Sequence, residues 1–133
     1  MAGAELYHGD FRKLGDKIED GSVSLCYSDP EYAFDKLHLY ESLAELCLKK
    51  LKPGGHLMVL SSTANLLNTM NACAKYLQYW SLCVLTNENG AGFGTDPNTR
   101  VEMRHKPVLW FRRSGGGDLD RFVANRVETI LSG

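Results

Sequence analysis

The chain has no apolar run long enough to span a bilayer, and its amino terminus lacks a basic-then-apolar leader pattern. A cytoplasmic protein without a membrane partner is the expectation. Cysteine is sparse: Cys26, Cys47, Cys73 and Cys83 never form a Cys-x-x-Cys pair, and each lies in an apolar run. That placement argues against a disulfide framework or a zinc ribbon and predicts buried, reduced thiols. His8, His38, His56 and His105 also lack metal-ligand spacing, so no metal is expected. Excess charge of either sign is missing too. A formal net charge of −1 provides no broad basic surface for nucleic acid. A local basic group, Arg100, Arg104, Lys106, Arg112 and Arg113, remains, and it suits a charged strand rim equally well. Internal repeats are absent, and the one low-complexity stretch is Ser114-Gly115-Gly116-Gly117.

What is present is the material of one α/β domain. A chain of 133 residues can bury a real core. Residues 5–8 form a short strand candidate that ends at Gly9-Asp10. Phe11, Leu14 and Ile18 recur at spacings of three and four, which predicts a helix over 11–18, stopped by Asp20-Gly21. The near-continuous apolar run at 23–27 predicts a central strand of a parallel sheet. Leu39, Leu43, Leu46 and Leu51, flanked by Tyr40, Ala44 and Cys47, predict a helix over 36–51 that Pro53-Gly54-Gly55 ends. A buried strand at 56–60 follows. Ser61-Ser62-Thr63 then supplies an N-cap for a helix over 64–76. Strands at 80–85 and 107–111 have no helix between them and are expected to pair antiparallel. Alternation of strand and helix predicts an α/β, Rossmann-like sheet, mostly parallel with an antiparallel last strand and helices on both faces. The domain is expected to occupy 1–113. A glycine hinge and tail fill 114–133, where Phe122, Val123, Val127 and Ile130 could form a docking face.

The segment with most chemical content is Asp29-Pro30-Glu31-Tyr32, placed between the strand at 23–27 and the following helix. Ligand chemistry in α/β sheets gathers in the loops after the carboxyl ends of strands. There a carboxylate can accept from the exocyclic amine of a flat base, proline fixes the backbone, and a tyrosine ring can stack. An ordinary turn closing a strand accounts for the same four residues.

The order of motifs narrows the choice. Gly9-Asp10, Ser28-Asp29-Pro30-Glu31-Tyr32, Lys52-Pro53-Gly54-Gly55 and Arg104-His105-Lys106-Pro107-Val108-Leu109-Trp110-Phe111 occur in this sequence. The series resembles the amino-methylating DNA methyltransferases, which use S-adenosylmethionine to modify adenine N6 or cytosine N4. The resemblance covers most of the chain. It implies a class I methyltransferase-type sheet that is incomplete here. It implies Asp29, Pro30 and Tyr32 as catalytic residues, His8, Gly9 and Asp10 on the cofactor side, and DNA as partner.

The sequence departs from that family in two ways. Glu31 stands where the family has its second proline, which loosens the loop and adds a negative charge beside Asp29. The family's Asp-Pro-Phe-x-Gly-x-Gly-like cofactor loop is missing. Gly90-Ala91-Gly92-Phe93-Gly94 does not replace it. A phosphate- or donor-binding glycine loop opens directly into a helix, whereas Thr95-Asp96-Pro97-Asn98-Thr99-Arg100 reads as further surface loop, expected to be flexible. The chain thus resembles a catalytic half with an incomplete S-adenosylmethionine site, expected to show little or no transfer alone. Two alternatives stay open: a non-catalytic descendant that dimerises or binds a partner, and one half of a split enzyme. A homodimer is expected, because an apolar strand left with an open edge is a template for pairing.

Overall fold

The computed structural model describes residues 3–31 and 33–115. In chain order its elements are α1 (Phe11–Leu14), β1 (Val23–Ser28), α2 (Leu37–Lys50), β2 (Leu51–Leu60), α3 (Leu66–Ala74), β3 (Gln78–Leu85) and β4 (Lys106–Arg112). Short 3-10 turns at Gly15–Lys17 and Phe34–Lys36 extend α1 and lead into α2. The strands form one sheet in the order β1-β2-β4-β3. β1 and β2 are parallel, while β4 runs antiparallel to both of its neighbours. Three strands therefore point one way and the last points back, giving the incomplete Rossmann-like α/β sheet that the sequence predicts.

Two steps across the sheet set the layering. From β1 through α2 to β2, and from β2 through α3 to β3, the chain moves in the same direction. Right-handed crossovers then place both helices on one face. α2 and α3 accordingly pack on each other, α2 on β2, and α3 on β3 and β4. On α2 the stripe Tyr40, Leu43, Ala44 and Cys47 is buried, the 3.6-residue period made visible. Opposite it lie Leu57, Val59, Leu109 and Phe111, all fully buried. Full burial of such a side chain stabilises by about 1.5–3 kcal/mol. The Tyr40 hydroxyl donates to the Leu60 carbonyl at 2.9 Å, tying α2 to the end of β2. Helices on both faces are expected from the sequence; among the described residues the two same-direction crossovers put α2 and α3 on one face and leave the opposite face open.

The Lys52-Pro53-Gly54-Gly55 motif works differently from the expectation. α2 already ends at Lys50, and β2 begins at Leu51 and runs through the motif. A Cβ on Gly55 would lie 2.9 Å from the Lys52 carbonyl oxygen and 3.0 Å from that of Val23. The glycine thus lets β1 and β2 approach where their register shifts between Val23 and Leu25. Nearby, the buried Lys50 ammonium donates to the Ile18 carbonyl at 2.7 Å and to Asp20 at 2.6 Å, fixing the turn that enters β1.

Three expectations are corrected. Residues 5–8 form no strand, and Leu6 is 97% exposed; with no neighbouring strand among the described residues, its backbone has no ladder to join there. Among the described residues β1 is an edge strand rather than a central one, with Leu25 and Tyr27 more than half exposed. The helix expected at 64–76 starts at Leu66 with Asn65 as its N-cap residue. The Ser62 hydroxyl accepts from the Asn65 amide at 3.2 Å, while Thr63 is engaged elsewhere. All four cysteines are free thiols, Cys47 and Cys73 buried and the other two half-buried. Burial pushes the Cys73 thiol up to about 12, as suits a packing residue. Most of the tail expected to dock, with Phe122, Val123, Val127 and Ile130, lies outside the described residues.

Candidate active site

Asp29 and Pro30 follow the carboxyl end of β1, and Ser61, Ser62 and Thr63 follow that of β2, its parallel neighbour. Because β4 is antiparallel, it begins at this same rim: Leu60 pairs with Val108, and Lys106 lies just beyond. The Lys106 ammonium accordingly stands 3.7 Å from the Asp29 carboxylate. The Asp29 side chain is half exposed and that of Lys106 largely covered. A carboxylate placed so is open to a ligand on one side and charge-compensated on the other.

The β3–β4 connection completes the rim. It folds as a small hairpin, with Thr95 and Glu102 bridged and the Phe93 and Met103 amides bonded to the carbonyls of Met103 and Gly94 at 2.7 and 2.8 Å. Asp96 organises its tip. One carboxylate oxygen accepts from the Asn98 and Thr99 amides at 2.8 and 3.0 Å, the other from the Thr63 hydroxyl at 2.6 Å. These hydrogen bonds, that of Thr63 foremost, hold the carboxyl below its ordinary range. The connection lies on the surface as expected and opens into no helix. It is internally tied, where the sequence reading expects flexibility. Between it and the end of β2 lies a cavity of about 130 Å³, lined in part by Ser62, Thr63, Phe93, Met103, His105 and Lys106. Lys106 links this cavity to Asp29.

The sequence-predicted site residues divide. Asp29 and Pro30 stand at the rim as expected, and Tyr32 lies outside the described residues. His8 and Gly9 are exposed ahead of α1. Asp10 caps α1: its carboxylate accepts from the Arg12 amide at 2.9 Å and from the Arg12 guanidinium at 2.6–3.1 Å. Those bonds hold its pKa at about 2. Lys106, Thr63, Asp96, Phe93 and His105 join the rim without having been singled out as site residues. Asp96-Pro97-Asn98 does carry the signature of an Asp-initiated turn. Among the described residues no group of three or more His, Cys, Asp or Glu side chains could hold a metal ion. No described helix is long and apolar enough to cross a membrane.

Solved structures with this arrangement of elements exist. The cytosine-N4-specific PvuII DNA methyltransferase superposes with a TM-score of 0.65 at 18% identity, over 90% of this chain and 53% of its own. The chain shares its fold with DNA methyltransferases. TTHA0409, a putative DNA modification methylase from Thermus thermophilus, gives a TM-score of 0.64 at 17% identity in its complex with S-adenosyl-L-methionine, covering 81% of this chain and 52% of that one. The M1.HpyAVI–SAM complex gives 0.61 at 16% identity, over 85% of this chain and 55% of the other. This chain spans about half the length of the methyltransferase structures it matches. No protein-family model and no curated protein matches the sequence.

Proposed function

We propose that the chain supplies the target-amine half of an S-adenosylmethionine-dependent DNA amino-methyltransferase, acting in the cytoplasm, with little or no transfer by itself. The observation that carries this reading is Asp29-Pro30 at the carboxyl end of β1, beside a cavity closed by the β3–β4 connection, within the shared fold. In this reading Asp29 accepts a hydrogen bond from the exocyclic amine of an extruded adenine or cytosine, the Pro30 carbonyl accepts a second, and Tyr32 stacks on the base. Positioning is the main contribution asked of these residues. The Lys106 ammonium, 3.7 Å away, orients the Asp29 carboxylate.

The described residues do not fit the methyl donor on their own. Gly90-Ala91-Gly92-Phe93-Gly94 leads into the Asp96 turn and not into a helix N-terminus. Asp10, placed with His8 and Gly9 on the donor side by this reading, already commits its carboxylate to Arg12. No transfer step is therefore derived for the chain alone. When bound, S-adenosylmethionine supplies an electrophilic methyl group; a further polypeptide segment is required to hold it.

Incubation with labelled S-adenosylmethionine and mixed DNA tests the proposal. The isolated chain yields no labelling above background. Adding a chain that carries a glycine-rich donor-binding segment yields labelling that Asp29→Ala abolishes. Robust Asp29-dependent labelling by the isolated chain would sink the half-enzyme reading. A second reading, a non-catalytic descendant that self-associates, is favoured by the position of β1 at the edge of the sheet among the described residues and by Glu31 two residues from Asp29.

A further inference from the structure

The basic residues that cluster in the sequence fare differently in the fold. The Arg113 guanidinium donates to the Leu51 carbonyl. Arg112 donates to the Gln78 amide oxygen at 2.8 Å and lies over the Trp80 ring. Arg104 donates to the Gly90 carbonyl at 2.5 Å and to the Glu102 carboxylate at 3.0 Å, and Lys106 faces Asp29. Arg100 is exposed, and its side chain has no partner among the described residues. Its backbone is unusual as well. Among the described residues Arg100 is the one residue other than glycine with a positive φ, 62°, a left-handed conformation that a Cβ disfavours. The Arg100 amide donates to the Asp96 carbonyl at 2.9 Å and the Asp96 amide to the Val101 carbonyl at 2.9 Å, which holds the turn. Glycine would relax it, yet an arginine stands there. Strained backbone that its surroundings hold in place gathers at ligand-binding sites.

We infer that Arg100 binds a backbone phosphate of the DNA strand beside the extruded base, an inference that rests on the function proposed above. Its placement supports this. The Thr95–Glu102 bridge closes residues 96–101 into a hairpin tip. Asp96 pins that tip to Thr63 and lines the cavity that Lys106 joins to Asp29. An extruded base stays joined to its strand, so the phosphates on either side of it remain outside the cavity mouth. Arg100 stands on the tip that forms one lip of that mouth, and a guanidinium offers a phosphate two parallel donors. The rigid turn limits the directions in which the side chain can leave, so the cation is placed before the strand arrives. Such a contact fixes the position of the strand and carries no sequence information.

The test is DNA binding by the full chain, followed by fluorescence anisotropy with a labelled duplex of mixed sequence and with its single strand. Salt is varied between about 50 and 200 mM. Arg100→Ala is expected to weaken binding severalfold at the low-salt end, equally on unrelated sequences, and to reduce the logarithmic salt slope by about one. Arg100→Lys keeps the charge and is expected to retain the slope and most of the affinity. Arg100→Gly separates charge from backbone: it eases the left-handed turn, yet is expected to lose as much binding as Arg100→Ala. Unchanged affinity and slope in Arg100→Ala, or native affinity in Arg100→Gly, would overturn the contact, as would absence of DNA binding by the native chain. Asp29-dependent labelling with a complementing chain decides the proposed function separately, so the two can fail independently.

Discussion

The Thr63 hydroxyl donates to the Asp96 carboxylate at 2.6 Å and thereby locks the β3–β4 connection to the end of β2. Thirty-three residues of chain separate the two side chains. Their contact turns a surface loop into one wall of the candidate site, because the same carboxylate also collects the Asn98 and Thr99 amides. The anchor is therefore both covalently remote and chemically simple: one ionised acid facing three donors.

Its pH dependence follows from the sign of the shift. The Asp96 carboxyl is depressed by its hydrogen bonds in the folded protein. Its contribution is fully present above the ordinary carboxylate value of about 3.9 and is lost as pH falls through the depressed value. Protection of the 93–103 amides, taken as exchange relative to the intrinsic rate at each pH, should fall on acidification through that window. Asp96→Asn should already exchange faster at neutral pH and lose the acid sensitivity.

Gly55→Ala should destabilise the fold by about 1–3 kcal/mol, because the added methyl meets backbone carbonyls that cannot swing aside. Denaturant unfolding measures this. An unchanged midpoint would show that the β1–β2 approach at the register shift relaxes freely.

Two core substitutions calibrate the packing between sheet and helices. Phe111→Ala empties a fully buried ring site and should cost about 3–5 kcal/mol. Tyr40→Phe removes only the hydroxyl bonded to Leu60 and should cost about 1 kcal/mol. The ratio of the two losses, read from the same unfolding curves, separates cavity formation from loss of a hydrogen bond.

Self-association is expected through β1, which lies at the edge of the sheet among the described residues and whose Leu25 and Tyr27 are exposed. A homodimer of ordinary stability buries about 1,200–2,000 Å² in total. Sedimentation at low micromolar concentration should show it, and deletion of residues 118–133 should leave it intact. A clean monomer would rule the edge contact out.

Glu31→Pro should leave the isolated chain without methyl transfer in the labelled-donor assay. The change restores local rigidity and removes a charge beside Asp29, yet adds nothing that holds the donor. Recovery of transfer would mean that donor binding had been present throughout.

Local pattern and motif order made most of the architecture legible. The 3.6-residue stripe of α2, the apolar run of β2 and the helix-free interval before β4 each follow from side chains a few residues apart. Asp29 at a strand's carboxyl end was readable for the same reason. Pairing partners were not. Residues 5–8 have strand composition and form none, and β1 reads as central yet lies at an edge among the described residues, because a strand's status depends on neighbours that its own residues do not encode. Lys106 beside Asp29, and Asp96 beneath Thr63, arose only when an antiparallel β4 returned the chain to the rim where β1 and β2 end. The sequence determines which segments can form strands and helices, since periodicity and turn chemistry act locally. The tertiary structure decides which polar groups meet, since that depends on the handedness of the crossovers and the direction of the last strand.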